Sequence, residues 1–576
     1  MAFVRPRIPI VRHFSWVDLT LFGGLFLFIY ALVGVAHEWT EPFRPKIEID
    51  LGFFSLIKYC ILSLVRVFSA YAISLLLTFS YGYIAAKSRV AEYFMIPLLD
   101  ILQSVPVTAF MPGLVLAFVF LFPKTNFGLE LAAIFMIFTG QGWNMIFSFY
   151  SSVKNVPNEL NEICRLFRLS DWQRFKKVEL PISMNGLLWN SMLSMAGGWF
   201  FVMTIESFTL GEKDFRLPGI GSYMAVAYEK QDLWAVFFGI SAMFIMIILV
   251  DRVLWAPLVV WSEKYRYDLD FRSRSRSVVL DLLKRSELPR YLHEWEQNSL
   301  KKVVNVIQSF PKIKISNPIS KIRPGRWLFF IRTLSILSCL CLAHLGMKGI
   351  YTLLGTNPLT SWMYHLRDTL FTFLRVVASV ILGSLWTIPV GVFIGTHPVW
   401  TRRLQPVVQV VASFPAPMLF PMIIYVMLKL HIGMEMGSVI LMLFASQWYI
   451  LFNVISGASL IPSHWMDVAK IFHVSGYHYW KSFILPAIFP SLVNAWITAA
   501  GGAWNASVVS EIVTYQGQEL VATGIGSSIT RAAQLGNYPA LAGGIAAMVI
   551  TVVVLNRFLW SHLYRLSETR FRLEVL

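Results

Sequence analysis

The sequence predicts an all-α polytopic membrane protein. About twelve transmembrane helices are expected, as two parallel six-helix repeats related by a pseudo-two-fold axis along the membrane normal. Three observations carry this. Apolar residues fill 56% of 576 positions and charged residues only 14%, with a mean hydropathy of +0.61. A soluble chain needs roughly 25% charged residues to cover its surface. Twelve apolar stretches are long enough to cross a hydrocarbon layer of roughly 30 Å, and the second half of the chain repeats the first.

The stretches lie near 17–37, 58–86, 91–122, 129–150, 186–207 and 234–261, then near 327–353, 366–396, 404–430, 437–458, 488–512 and 539–562. Arg5, Arg7 and Arg12 precede the first, and no small-residue cleavage site follows it, so a retained helix is expected rather than a signal peptide. Loop charges give the orientation. The segment 151–185 carries Lys154, Arg165, Arg168, Arg174, Lys176 and Lys177, and 262–326 carries fifteen Lys or Arg against seven acids. The loop 38–57 is instead acidic, with Glu38, Glu41, Glu48 and Asp50. The positive-inside rule then places both termini and the basic loops in the cytoplasm. The net charge of +17 follows from the same bias together with anionic lipid, and implies no nucleic acid.

Self-comparison reveals the duplication. At an offset of 309, Arg66 meets Arg375, Pro97 meets Pro406, Pro106 meets Pro415 and Pro112 meets Pro421. At an offset of 305, Trp143 meets Trp448, Pro157 meets Pro462, Pro181 meets Pro486 and Gly197 meets Gly502. Trp199 then meets Trp504, Glu206 meets Glu511, Gly219 and Gly221 meet Gly524 and Gly526, and Arg252 meets Arg557. The organisation expected is a first repeat at 1–261, a basic cytoplasmic linker at 262–326 and a second repeat at 327–576. Six spans are an even number, so both copies enter the membrane in one direction, with any pathway between them.

Each half places a long cytoplasmic loop between its fourth and fifth spans. Asn158 and Ser463 each follow a proline and are expected as N-caps. Ile163, Leu166 and Phe167 share one helix face, and Val468, Ile471 and Phe472 repeat them, giving a short amphipathic helix in each loop. Ser170 with Gln173 suggests a capping box opening a second short helix.

These loops resemble the signature of type I ABC importer permeases, which runs Glu-Ala-Ala, three residues, Gly, then Ile-x-Leu-Pro. Glu162-Ile-Cys and Asp467-Val-Ala match the triplet, and Leu180-Pro181 and Leu485-Pro486 the closing pair. Arg168 and His473 stand where the signature has glycine. The Arg66-Val67, Ser104-Val-Pro106, Pro218-Gly-Ile-Gly221 and Thr523-Gly-Ile-Gly526 segments resemble the nitrate, sulfonate, taurine and bicarbonate subclass, in a fused form. The resemblance implies a non-catalytic subunit of the plasma or inner membrane of a bacterium or archaeon. Its partners would be two copies of an ATPase and an outer substrate-binding protein, periplasmic or lipid-anchored. It also implies that Glu159, Glu162, Ile163, Leu166, Phe167 and Arg168, with Asp467, Val468, Ile471, Phe472 and His473, dock that ATPase.

No Gly-x-x-x-x-Gly-Lys-Ser/Thr loop occurs, so ATP and Mg²⁺ are expected on the partner and no cofactor on this chain. Cys60, Cys164, Cys339 and Cys341 have no metal-ligand spacing, and no metal site is expected. Ionisable residues inside spans are costly and become functional candidates. Arg66 and Glu206 fall at similar depths, as do Arg375 and Glu511, so the expectation is an Arg–Glu contact in each half or two arginines flanking the axis for an anion. A static pair locking two helices is the plainer alternative. Trp199 and Trp504, beside Gly-Gly pairs, are candidates to line or gate the path. A twelve-span secondary transporter is the rival reading.

Overall fold

The computed structural model describes residues 39–40, 47–210, 213–265, 279–281, 348, 355 and 359–570. The expected spans at 17–37 and 327–353, and nearly all of the linker 262–326, lie outside them. In the first half the described helices are α1 (Phe53–Lys87), α2 (Arg89–Ser104), α3 (Val107–Leu121), α4 (Phe127–Lys154), α5 (Asn158–Leu166) and α6 (Leu180–Ile205). An antiparallel hairpin, β1 (Ser207–Leu210) with β2 (Lys213–Arg216), leads to α7 (Ile220–Glu229) and α8 (Leu233–Ser262). The second half repeats this order: α9 (Leu359–Thr396), α10 (Pro398–Ser413), α11 (Phe420–Lys429), α12 (Met434–Ser459), α13 (Ser463–Ile471) and α14 (Leu485–Ser510). β3 (Ile512–Tyr515), β4 (Gln518–Val521), α15 (Ile525–Gln534) and α16 (Tyr538–Ser567) complete it.

Among the described residues seven helices are long and apolar enough to cross a membrane, and a bent pair adds an eighth if taken as one span. Two of the expected twelve lie outside the described residues, and the other shortfalls have visible physical reasons. The stretch 91–122 is two helices of 16 and 15 residues. They break where Val105 (ψ 121°) is forced extended by Pro106, which also lacks the N–H that would continue the ladder. The same break between Ser413 and Ala416 bends the second copy by 77°. Helix α6 is 26 residues long but diluted by Ser183, Asn185, Asn190, Ser191 and Ser194.

The two hairpins add elements that the apolar pattern of the sequence does not predict. Tyr515-Gln516-Gly517-Gln518 closes the second, with φ of 50° at Gln516 and 78° at Gly517, the left-handed pair that a two-residue hairpin turn requires. π-helical segments also recur in register: Phe175–Glu179 matches Trp480–Ile484, and Asp251–Trp255 matches Asn556–Trp560. Each is the one-residue excess that rotates the apolar face of a long helix partway along it.

One apolar core runs through both halves, from Val67 and Trp199 to Trp504 and Met548. Packing across the midline is reciprocal, with α8 on α10 and α16 on α2. The contacts there are polar as well as apolar. Asp251 Oδ1 accepts from Gln409 Nε2 at 2.9 Å, the Tyr228 hydroxyl donates to the Met418 carbonyl at 2.8 Å, and Phe244 stacks on Phe414 with ring centroids 4.4 Å apart. At the break before α3, Asn505 Oδ1 accepts the Val107 N–H at 2.7 Å, and Thr108 Oγ1 donates to the Asn505 carbonyl at 2.9 Å. A side chain of one half thus caps a helix of the other.

This contact yields a test. Asn505→Ala removes the cap and should cost about 1 kcal/mol, read as a lower thermal midpoint of the detergent-solubilised chain. Asn505→Asp, which keeps the acceptor, should retain most of the stability.

Candidate functional site

Two constellations in each half collect the residues that chemistry singles out. The first is buried between α1, α4, α6 and the start of α7. The Arg66 Nε and Nη2 donate to the two carboxylate oxygens of Glu130, both at 2.6 Å, a bidentate pair. Its Nη1 donates to Glu206 Oε1 at 2.7 Å and to the Pro218 carbonyl at 3.0 Å. Glu206 also accepts from the Ser63 hydroxyl at 2.6 Å and from the Gly221 N–H at 2.7 Å, and Ser63 in turn accepts the Ile220 N–H at 3.0 Å. The carboxylate therefore sits at the positive end of α7 and satisfies its free N–H groups. Gly219 is required by this approach, because a Cβ there would fall inside the Glu206 carboxyl group.

The second half copies the network. Arg375 Nη1 donates to Glu511 at 3.0 Å and to the Thr523 carbonyl at 2.8 Å, and its Nη2 pairs with Glu435. Thr372 takes the place of Ser63, donating to Glu511 at 2.6 Å and accepting the Ile525 N–H at 2.9 Å. The copies also differ in exposure. The Glu130 side chain is 2% exposed, whereas that of Glu435 is 61% exposed. Neither arginine is presented to open space, since both are buried with their donors turned to carboxylates and carbonyls.

Trp199 and Trp504 are also buried in the common core. Trp199 lines a small cavity with Met195, Trp255, Asp251 and Gln409, between the halves.

The second constellation is the loop between the fourth and fifth expected spans of each half. Helix α5 begins at Asn158 with Pro157 as its N-cap, and α13 begins at Ser463 after Pro462. This corrects the expectation that Asn158 and Ser463 are the caps. Each proline is the extended residue (ψ 141° and 137°), so the residue after it is already helical and no side chain caps either end. The capping box at Ser170 and Gln173 is formed. Leu166, Phe167, Ile471 and Phe472 are between 72% and 80% exposed, and Ile163 and Val468 are exposed beside them. Cys164 and Ala469 are buried on the opposite side, and Met466 packs inward beside Ala469. Glu159, Glu162 and Asp467 lie on the exposed side as well.

Both helices end identically. The Arg168 N–H donates to the Arg165 carbonyl and the Leu169 N–H to the Cys164 carbonyl, both at 3.0 Å. The His473 and Val474 N–H groups do the same to Lys470 and Ala469. This is the Schellman arrangement, which needs a left-handed residue, and Arg168 (φ 47°) and His473 (φ 51°) supply it. The two departures from the glycine signature thus keep glycine's conformation. The first loop is also tied to the membrane helices by charge, because Glu179 pairs with Lys87 and with Arg174 Nε at 2.7 Å. Arg174 Nη2 reaches Asn161 on α5 at 2.8 Å.

The family described as the binding-protein-dependent transport system inner membrane component matches residues 78–254 and, a second time, 387–573. The chain belongs to that family. Among curated relatives, a bicarbonate transport system permease of Synechococcus elongatus (CmpB) is 23% identical over 39% of this chain and 73% of its own. A nitrate import permease of Leptolyngbya laminosa (NrtB) is 27% identical over 34% of this chain and 65% of its own. A putative aliphatic sulfonates transport permease of Bacillus subtilis (SsuC) is 23% identical over 44% of this chain and 91% of its own. The chain is thus an ABC importer permease in duplicated form, a multi-pass membrane protein with no catalytic role expected of its own residues.

Glu130 and Glu435 were missed by the sequence reading, although they align at the same offset of 305 as Glu206 and Glu511. Ser63 and Thr372 align at 309 but differ in residue type, which hid them from a search for identities.

Two tests follow from this geometry. Arg66→Ala leaves two buried carboxylates without their cation and should cost about 3–5 kcal/mol, whereas Arg375→Ala should cost clearly less because water reaches Glu435. Thermal unfolding of the two variants side by side checks the order. Arg168→Gly and His473→Gly should relieve about 1 kcal/mol of left-handed strain each. Slower hydrogen exchange of the loop amides, by about fivefold, would register that gain.

Proposed function

We propose that the chain forms the translocation path of an importer driven by a separate ATPase, with α5 and α13 as the two docking elements. The observation that carries this is the pair of short helices on one side of the membrane, each presenting three apolar residues to solvent with an acidic residue beside them. A soluble surface does not leave Leu166, Phe167, Ile471 and Phe472 uncovered without a partner. Their recurrence in both halves calls for two copies of one partner, since each half offers the same docking surface.

On this reading ATP and Mg²⁺ are bound by the partner, and no cofactor is held by this chain. The termini and docking loops lie in the cytoplasm of a bacterial or archaeal cell, and an outer binding protein delivers solute to the opposite face. The relatives named for bicarbonate, nitrate and sulfonates favour a small anion as that solute. The buried guanidinium groups of Arg66 and Arg375 then act as fixtures that hold α1, α4, α6 and α7, and their second-half counterparts, in register.

The test uses the complex purified from native membranes through a tag on this chain. ATP hydrolysis should co-purify, and Glu162→Arg combined with Asp467→Arg should abolish it while the chain keeps its elution profile. A chain that purifies alone and moves solute down a proton or sodium gradient would overturn the reading in favour of a secondary transporter.

A further inference from the structure

Neither α6 nor α14 contains an ionisable side chain, yet α14 carries a polar stripe on a face where α6 is apolar, the Asn190, Ser194 and Gly197 run of α6 lying about 100° away around its helix. Asn494, Thr498, Gly501 and Asn505 are spaced by four, three and four residues, which at about 100° per residue confines them to one narrow face of the helix. Asn494 and Gly501 are exposed, and Thr498 and Asn505 half-buried. The direction of this face is fixed at its outer end, where Asn505 accepts the Val107 N–H of the opposite half at 2.7 Å. One turn further in, nothing lies within 4 Å of where a Gly501 side chain would begin, so the helix borders open space there.

Among the described residues the Asn494 side chain makes no hydrogen bond. The Thr498 hydroxyl turns back to the Asn494 carbonyl at 2.8 Å. A polar side chain left without a partner is costly in hydrocarbon but not in a water-filled passage. At the offset of 305, the same face of α6 reads Trp189, Leu193, Ala196 and Phe200. That face also looks across the midline, with Trp189 and Phe452 of the second half 6.2 Å apart between ring centroids.

We propose that this face of α14 is the polar wall of the solute path, opposed by an apolar wall on α6. The inference rests on the importer reading for the direction of transport, but its geometry does not. Asn494 offers its amide N–H groups to the oxygens of a small oxyanion, beside the Thr498 hydroxyl, and neither α6 nor α14 adds a fixed charge there. The solute is therefore passed on hydrogen bonds alone, which binds it weakly enough to leave. The duplication is symmetric in its scaffold, but the aligned faces of the two helices differ, polar on α14 and apolar on α6.

The test is thiol accessibility in the whole complex, in inside-out vesicles, with Cys60, Cys164, Cys339 and Cys341 replaced by Ser. Asn494→Cys, Thr498→Cys and Gly501→Cys are compared with Ile550→Cys, an exposed position on α16. A membrane-impermeant methanethiosulfonate reacts only with a hydrated thiolate, so the three stripe positions should be modified at least about tenfold faster than Ile550→Cys. Gly501→Cys enters open space and tests the wall even if another variant misfolds. Equal rates at all four positions would overturn the proposal. Labelling needs no ATPase, so fast stripe modification in a chain without coupled hydrolysis would refute the importer reading and leave the polar wall standing.

Discussion

The charge in the interior organises everything around it. A guanidinium and two carboxylates cannot be left in a low-dielectric core unless each is paired and its remaining hydrogen-bonding capacity is used. Arg66 meets that condition by drawing on α4 through Glu130, on the end of α6 through Glu206, and on the chain before α7 through the Pro218 carbonyl. Those three sources are far apart in sequence, so the cluster fixes their mutual position. The glycines follow from it, because only a residue without Cβ lets the backbone of the 218–221 turn close over the carboxylate. The hairpin follows too, since it must return the chain from Glu206 to Pro218, and the Leu217 N–H meets the Glu206 carbonyl at 2.9 Å.

The same condition explains how far the sequence could be read. The periodic and identical features were legible: the helices as apolar stretches, the duplication as Pro, Trp and Gly at fixed offsets, and α5 and α13 as a repeated Ile-x-x-Leu-Phe or Val-x-x-Ile-Phe face. Arg66, Glu206, Arg375 and Glu511 could be named because charges in apolar runs stand out. Glu130 and Glu435 could not, since each opens a helix where an acid is commonplace and gives no sign of burial. Pro106 and Pro415 recur at a fixed offset, which does not give the size of the break they impose. The hairpins, only four residues per strand, were too short to show an alternation against the surrounding apolar sequence.

What the two halves share and what they do not share divides along mechanical lines. Shared are the ion-pair cluster, two pairs of π-helical segments, the break within the third span and the left-handed end of α5 and of α13. These elements carry load or set geometry, and two equal partners would demand two equal copies. Unequal are the stripe on α14, the reach of water to Glu435, and the Glu179 ion pairs that tie only the first loop to α1. On the proposed reading a passage between the halves is lined once by each, which leaves its walls free to differ. Fusion of both copies in one chain permits that divergence, because a homodimer would be bound to identical walls.

The central claim is that α5 and α13 are docking surfaces for one kind of ATPase rather than helices resting on lipid headgroups. Photo-crosslinking decides it most directly, with a photoreactive side chain placed singly at Leu166 and at Ile471 in native membranes. The account predicts an adduct with the same ATPase polypeptide from each position taken alone. Adducts with lipid only, at both positions, would contradict it.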